Sequence, residues 1–342
     1  MAQEGKYSRQ VLFDGIGSAG QERLLGAFAV IVGCGALGST AANLLARAGV
    51  GRLLIVDRDY VEASNLQRQM LFDEADAAGS LPKAVAAERH LRRINSDVRV
   101  EGRVDDVSPD NVETLVSGAG VVLDGTDNFE TRYLLNDACV KLGVPWIYAA
   151  AVGSYGVTMP VLPGRTACLA CIFPQPPEAP GETCDTAGIL ASAATVAAAV
   201  QVADALKILS GAAGRVEARL LALDVWQNRV QRLDAGAPDP ECEVCGARRF
   251  RHLAGERRAP VTLCGRNSVQ IHEHHRRLDF AALRARLELL GEVRANDFLL
   301  RFMVHGTDRP YELTLFPDGR ALIKGTTDPG LARSLYARYV GA

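Results

Sequence analysis

This 342-residue sequence is short of net charge, of unbroken apolar stretches and of repetition. Lysine and arginine number 38 against 40 aspartates and glutamates, a formal net charge of -2. A chain so balanced exerts no global electrostatic pull on nucleic acid or an anionic membrane, so neither is expected as a partner. The longest apolar stretch, Ile189 to Leu209, is broken by Ser192, Gln201, Asp204 and Lys207, and reads as a buried helix rather than a membrane span. Residues Met1 to Gln10 lack the apolar core of a signal peptide, so a cytoplasmic protein is expected. At 48% hydrophobic, 23% charged and 6% aromatic residues, neither long disorder nor a fibrous repeat is expected.

Cysteine is more informative. Four of the eight fall into two pairs, Cys168-x-x-Cys171 and Cys242-x-x-Cys245. Cys34, Cys139, Cys184 and Cys264 stand alone. Four thiolates in two pairs suit a closed tetrahedral site, typical of structural Zn²⁺, with no position left for water. Redox pairs are the alternative reading. Cys34 and Cys139 read as small buried hydrophobes, and Cys264 is open to either reading. His272-Glu273-His274-His275 matches no standard zinc spacing, and no metal site is expected there.

Apolar runs alternating with helical patterns organise the first 250 residues. Strands are expected at 28–33, 53–56, 98–100 and 121–124, with helices at 38–49, 82–95 and 131–143. That alternation predicts an α/β fold, a doubly wound, mostly parallel sheet. Further strands are expected over 146–163, with turns at Gly153 and Gly156. A proline-rich loop at 172–183, a helix at 189–210 and a strand at 220–223 follow. The arginine-rich stretch 248–260 reads as a solvated linker. From Val261 the pattern restarts, with strands at 261–271, 298–304, 311–316 and 321–324 and helices at 279–290 and 329–339. The expected domains are therefore 1–247, a linker at 248–260, and a small α+β domain at 261–342.

Gly33-Cys34-Gly35-Ala36-Leu37-Gly38 follows a predicted strand and opens a predicted helix, the setting in which backbone N–H groups cradle a phosphate. Asp57 ends the next strand, placed to accept from ribose hydroxyls. By themselves these features suit any nucleotide, and an NAD-dependent oxidoreductase is one candidate. The following residues favour a triphosphate. Asp59 leads into Asn65-Leu66-Gln67-Arg68-Gln69, and Lys83 opens the next helix. Arg68 and Lys83 are cations that offset charge on a leaving pyrophosphate, while Asn65 and Gln69 add neutral donors. Asp127, beyond the carboxyl end of the fourth strand, suits a Mg²⁺ ligand or else a helix cap.

Tyr7-Ser8-Arg9-Gln10, the Gly33–Gly38 loop, Asn65–Gln69, Lys83, Asp127-Asn128-x-x-Thr131-Arg132 and the two cysteine pairs, in this order, resemble the ThiF/MoeB/HesA family. These are bacterial relatives of ubiquitin-activating enzymes, and the resemblance covers residues 6–247. It implies an adenylyltransferase that uses MgATP to adenylate the C-terminal glycine of a small ubiquitin-like sulfur-carrier protein ending in Gly-Gly. Sulfur transfer for thiamin, molybdenum cofactor, thiolated tRNA or cysteine synthesis would follow. It further implies Asp57 on the ribose, Asn65, Arg68 and Lys83 on the phosphates, and Asp127 on Mg²⁺. Arg9 would reach the ATP of the partner subunit in a homodimer. Cys184 matches a position where several members carry an acyl-accepting cysteine; a dispensable thiol is the alternative. A non-catalytic recruiting relative is the third functional candidate. The last domain lacks the cysteine-centred loop of a rhodanese, so sulfur would come from a separate donor protein.

Overall fold

Alternate residues of the central strands at 28–32 and 121–124 face opposite ways, and both sets are buried. In the computed structural model Ala29 and Ile31 of strand β1 (Phe28–Val32) join one apolar cluster, and Val30 and Val32 join another. A strand can be apolar on both faces only between two helical layers. The backbone is described for residues 5–176, 184–256, 262–263, 268–271, 278–304 and 310–341; for Cys184, Asp185, Thr262 and Leu263 the side chains lie outside the description. The chain divides into two units, Met1–Arg258 and Ala259–Ala342.

In the first unit, α1 (Ser8–Val11) and α2 (Gly17–Gly26) precede β1, which is followed by α3 (Ala36–Ala48) and β2 (Arg52–Val56). Next come α4 (Glu74–Ala78), α5 (Lys83–Ile94), β3 (Arg99–Arg103), α6 (Val112–Val116), β4 (Val121–Asp124) and α7 (Phe129–Leu142). The unit continues through β5 (Trp146–Val152), β6 (Tyr155–Val161), α8 (Leu169–Ile172), α9 (Cys184–Ala187), α10 (Ala191–Leu209), β7 (Arg219–Asp224) and β8 (Arg229–Asp234). The eight strands form one sheet in the order β3-β2-β1-β4-β5-β6-β7-β8. Pairing is parallel from β3 to β5 and antiparallel from β5 to β8. Helices α3, α5 and α10 cover one face, and α6 and α7 cover the other. The doubly wound sheet read from the sequence is the observed fold.

The second unit is antiparallel. It holds β9 (Thr262–Leu263), β10 (Ser268–Ile271), α11 (Phe280–Leu287), β11 (Val293–Ala295), β12 (Leu300–Val304), β13 (Tyr311–Leu315), β14 (Ala321–Lys324) and α12 (Pro329–Tyr339). The strand order is β11-β12-β13-β14-β10-β9. Leu283, Leu287, Ala332, Leu335 and Tyr336 from the two helices pack with Leu300, Phe302, Leu313 and Ile323 in one core.

The structure departs from the sequence reading at several points. The single strand expected over 261–271 is instead the antiparallel pair β9 and β10. Strand β11 carries no sequence signal strong enough to predict it, being three residues long with none buried. Strand β8 was likewise missed: all six of its residues are exposed at the sheet edge, so no apolar alternation marks it. Gly156 is not a turn residue. It lies within β6, where an added Cβ would stand 2.8 Å from Ala197 Cβ and 3.0 Å from Ala193 O of α10. The turn is made at Gly153, whose φ of +59° suits glycine.

A further difference concerns 248–256, which packs onto the first unit rather than standing free as a solvated linker. Phe250 and Leu253 lie against its core, and His252 stacks on Tyr133 of α7 at 5.0 Å. The backbone N–H groups of His252 and Leu253 donate to Oδ2 of buried Asp137 at 2.9 and 3.2 Å. Arginine-rich composition conceals this, because most of the anchoring comes from Phe250, Leu253, the His252 ring and two backbone N–H groups.

Helix α10 has the length and apolarity of a membrane span. Its buried positions Ala194, Ala197, Ala198, Gln201, Val202 and Ala205 instead form a helical stripe within the cores of this unit. The close approach at Gly156 is testable. Gly156→Val should lower stability to urea by about 1–3 kcal/mol, because helix and strand must separate. An unchanged unfolding midpoint would show that α10 shifts without cost.

Candidate active site

The site is built where β1 and β4 end. Gly33 turns the chain out of β1 with φ of +86°, and an added Cβ would lie 2.6 Å from Gly125 O. At Gly38, in the first turn of α3, a Cβ would collide with Gly33 O, and at Gly125 a Cβ would meet Gly38 Cα at 2.9 Å. Three glycines thus interlock by backbone. Gly35 is the N-cap of α3 and offers no side-chain cap, so the helix N-terminus presents its backbone donors to whatever binds there.

Asp57 supports this loop from β2. Its Oδ2 accepts from Cys34 N at 2.5 Å and its Oδ1 from Asp59 N at 2.7 Å. Burial pushes its carboxyl up, and the Lys83 ammonium opposes that shift. Lys83 itself is almost fully buried, with Nζ 3.2 Å from Asp59 Oδ2. It opens α5, the end of a helix where a cation is disfavoured by the macrodipole. A buried lysine in that place is costly for stability and calls for an anionic partner.

Asn65, Arg68 and Gln69 lie on the segment between β2 and α4. Asn65 Oδ1 accepts from Glu62 N at 3.2 Å in a reciprocal cap, so its Nδ2 is the group it can offer a ligand. Arg68 Nη1 donates to Ser64 O at 2.8 Å. Gln69 is buried, its Oε1 has no hydrogen-bond partner, and its Nε2 lies 4.0 Å from where a Gly35 Cβ would stand. The structure therefore brings Gly33, Gly35, Gly38, Asp57, Asp59, Gln69 and Lys83 into one neighbourhood.

Asp127 follows β4. The two readings of it are separated by its neighbour, since Asn128 Oδ1 takes the cap of α7 by accepting from Thr131 N at 2.9 Å. Asp127 is exposed; burial works against the charge of the Arg58 and Arg132 guanidiniums, yet both are raised, chiefly by Asp106 and Asp124 respectively, with Asp127 a lesser contributor. Beneath it, buried Asp124 pairs with Arg132 Nε at 3.2 Å and accepts from Thr126 N and Oγ1 at 2.9 and 2.7 Å. Arg132 also donates to Thr126 O at 2.7 Å, fixing the turn that carries Asp127. Sequence reasoning gave Arg132 and Asp124 no role of their own; an arginine eight residues after a buried strand-end aspartate was the available signal.

Arg9 and Cys184 stand apart from this group. Arg9 is exposed on α1, which is moored at the opposite end of α3: Gln10 donates to Ala48 O at 2.9 Å, and Asn95 Nδ2 donates to Tyr7 Oη at 2.8 Å. Helix α3 spans roughly 20 Å at 1.5 Å per residue, too far for Arg9 to reach the loop of its own chain. Cys184 opens α9, a separate short helix, with Gly188–Leu190 before α10 begins. Its side chain lies outside the described residues. The same holds for Cys264 and for His272–His275. Burial pushes the thiols of Cys34 and Cys139 far up, as suits small apolar fillers.

The two cysteine pairs do converge. Cys168–Cys242 and Cys168–Cys171 sulfurs are 3.7 Å apart, Cys171–Cys245 3.3 Å, and all four lie within 4.8 Å of one another. A tetrahedron of about 2.3 Å zinc–sulfur bonds has edges of about 3.8 Å. The hydrogen bond shared with Cys168 lowers Cys171 to about 5 and raises Cys168, and burial raises Cys245 to about 12. Four thiolates at this spacing repel one another, so a cation is the group they fit. Asn136 of α7 donates to Cys168 Sγ at 3.7 Å and accepts from Leu169 N at 2.9 Å. Another close group, Asp73, Asp76 and His90, is a helix cap plus a His90–Asp76 contact of 2.7 Å.

Residues 7–244 match the ThiF family. The chain belongs to that family. It is 47% identical to the sulfur carrier protein ThiS adenylyltransferase of Bacillus subtilis over 341 residues, 98% of this chain and 99% of that protein. It is 39% identical to the SAMP-activating enzyme E1 of Haloferax volcanii, over 70% of this chain and 88% of the other. Among solved structures, Escherichia coli MccB crystallised with ATP superimposes with a TM-score of 0.61 at 25% identity, covering 71% of this chain and 75% of that one.

Removing Arg132 tests the charge pair under Asp127. Arg132→Met should destabilise the protein by about 3–5 kcal/mol near neutral pH, since Asp124 stays buried without its cation. Burial raises the folded-state pKa of that carboxyl and Arg132 opposes the rise, so removing the arginine raises it further above its unfolded value. The penalty is therefore full at high pH and lost as pH falls through the raised pKa. Urea unfolding at about pH 7.5 and about pH 5.5 should show the gap to wild type narrowing on acidification. A constant gap would clear Asp124 of this role.

Proposed function

We propose that this protein is an ATP-dependent adenylyltransferase that activates the C-terminal glycine of a ubiquitin-like sulfur-carrier protein. The observation that supports this best is the buried Lys83 beside the glycine loop, with Arg68 on the adjoining segment: cations suited to a triphosphate, where a dinucleotide's pyrophosphate needs mainly backbone donors. Full-length similarity to a ThiS adenylyltransferase points the same way.

In this reading the α3 N-terminus and Gly33–Gly38 cradle phosphates, Asp57 accepts from the ribose, and Asp59, Asn65 and Gln69 complete the nucleotide contacts. The carrier's carboxylate is ionised near pH 7 and needs no general base. One of its oxygens forms a bond to the α-phosphorus, the bond from that phosphorus to the bridging oxygen breaks, and pyrophosphate leaves with the electron pair. Lys83 and Arg68 offset the leaving charge. Asp127 fits a Mg²⁺ ligand, and the ion when bound would neutralise phosphate charge there. Arg9, too distant from its own loop, would serve the site of a second copy in a homodimer. Cys184 is assigned to later acyl or sulfur transfer, with sulfur from a separate donor protein. Cys168, Cys171, Cys242 and Cys245 would hold a structural Zn²⁺ that ties α8 to the end of the sheet domain. Thiols kept reduced in this way suit the cytoplasm. The domain at 261–342 is assigned to recruiting or positioning a partner, and thiamin or molybdenum cofactor synthesis is the process such carriers serve.

ATP–pyrophosphate exchange with each small Gly-Gly protein of the same source tests the reaction. Asp127→Ala should reduce exchange by about 10²–10³ with the fold intact; near-normal exchange at saturating MgATP would refute the assignment. Mixing Arg9→Ala with Asp127→Ala subunits should restore part of the activity, because one hybrid site regains both residues. No rescue after verified subunit exchange would exclude delivery in trans. Elemental analysis of reduced protein should find one zinc per chain, and loss of any one of the four cysteines should cost several kcal/mol of stability. Protein purified free of zinc yet equally stable would disprove the metal centre.

A further inference from the structure

Helix α10 buries alanine, valine and leucine along its stripe, with one fully buried amide among them, Gln201. Its Nε2 donates to two carbonyls on different strands, Asp124 O at 2.9 Å and Ile147 O at 2.7 Å. Both facing atoms are acceptors, so the nitrogen must point toward them. They lie where β4 and β5 part, since aligned pairing between these strands ends at Leu123 and Ile147. Gly125, Thr126 and Asp127 follow directly. The opposite amide atom, Oε1, is buried with no hydrogen-bond partner. An apolar side chain of similar size would avoid that penalty, so it is the donor side that accounts for a glutamine here. Arg132 grips the same turn from α7, bonding Asp124 Oδ2, Thr126 O and, more weakly, Ala149 O. The turn bearing Asp127 is therefore held from both faces of the sheet.

We propose that Gln201 is a positioning residue for the adenylation site, fixing the ends of β4 and β5 so that Asp127 is presented to magnesium-bound ATP. This rests on the assignment of Asp127 above. The test compares full-length wild type with Gln201→Leu and Gln201→Glu, measuring ATP binding by calorimetry with and without Mg²⁺. Gln201→Leu should lose about tenfold of the affinity that Mg²⁺ adds, the usual size of an outer-sphere defect, and leave Mg²⁺-free binding unchanged. In Gln201→Glu the carboxyl can donate only when protonated, so the Mg²⁺-dependent affinity should recover as pH falls, a response absent from wild type and from Gln201→Leu. A lower melting temperature with Mg²⁺ dependence intact would overturn the proposal and leave Gln201 a packing residue.

Hydrogen exchange without nucleotide separates this from failure of the adenylation reading. If wild type itself gains nothing from Mg²⁺, the Asp127 assignment falls. The positioning role then stands only if Gln201→Leu speeds exchange at 124–131 and 147–151 and not elsewhere. Unchanged protection there, or a uniform increase across the first unit, overturns it.

Discussion

Everything at the site depends on a backbone-to-backbone approach that leaves no room for a side chain. Gly33, Gly38 and Gly125 bring the end of β1, the first turn of α3 and the end of β4 so close that a Cβ on any of them would meet main-chain atoms. Because no side chain intervenes, the N-terminus of α3 opens directly above the sheet edge. The next residues of β4 then deliver Asp127 to the same edge. Asp57, bonded to Cys34 N, locks the loop from the neighbouring strand.

Charge is arranged around that frame at a cost to the fold. Lys83 is buried at the unfavourable end of α5, and Asp124 is buried beneath Asp127. Each is balanced by one main opposite partner, Asp59 for the lysine and Arg132 for the aspartate. A chain selected for stability alone would use apolar residues in both places. In the proposed reading Lys83 serves the phosphates, whereas the Asp124–Arg132 pair holds the turn that carries Asp127.

Helix α7 joins two functional regions. Its first turn, capped by Asn128, follows Asp127, and its later turns carry Tyr133, Asn136 and Asp137. Tyr133 Oη donates to Phe173 O at 2.6 Å, Asn136 grips the Cys168 segment, and Asp137 holds residues 252–253. The cysteine cluster, Phe173 and residues 252–253 are thereby moored to the helix that follows Asp127.

What the sequence determined by itself was whatever depends on local pattern. Strands buried on both faces are apolar throughout, so the parallel core was legible, and glycine spacing marked the loop after β1 because backbone geometry there excludes other residues. Cysteine spacing announced a four-thiol cluster because two C-x-x-C pairs are the usual thiolate set of a closed tetrahedral site. Tertiary structure decided what depends on who lies opposite. An exposed edge strand such as β8 has no apolar periodicity to read, and Gly156 looks like a turn residue until α10 is seen against it. Asn128 rather than Asp127 caps α7, a choice made by side-chain geometry that composition cannot express. Arg9 is separated from its own loop by the length of α3, and Arg132 and Gln201 meet one turn from opposite faces of the sheet. Those relations join residues dozens of positions apart, and no local pattern encodes a contact whose partner is set only when the layers pack.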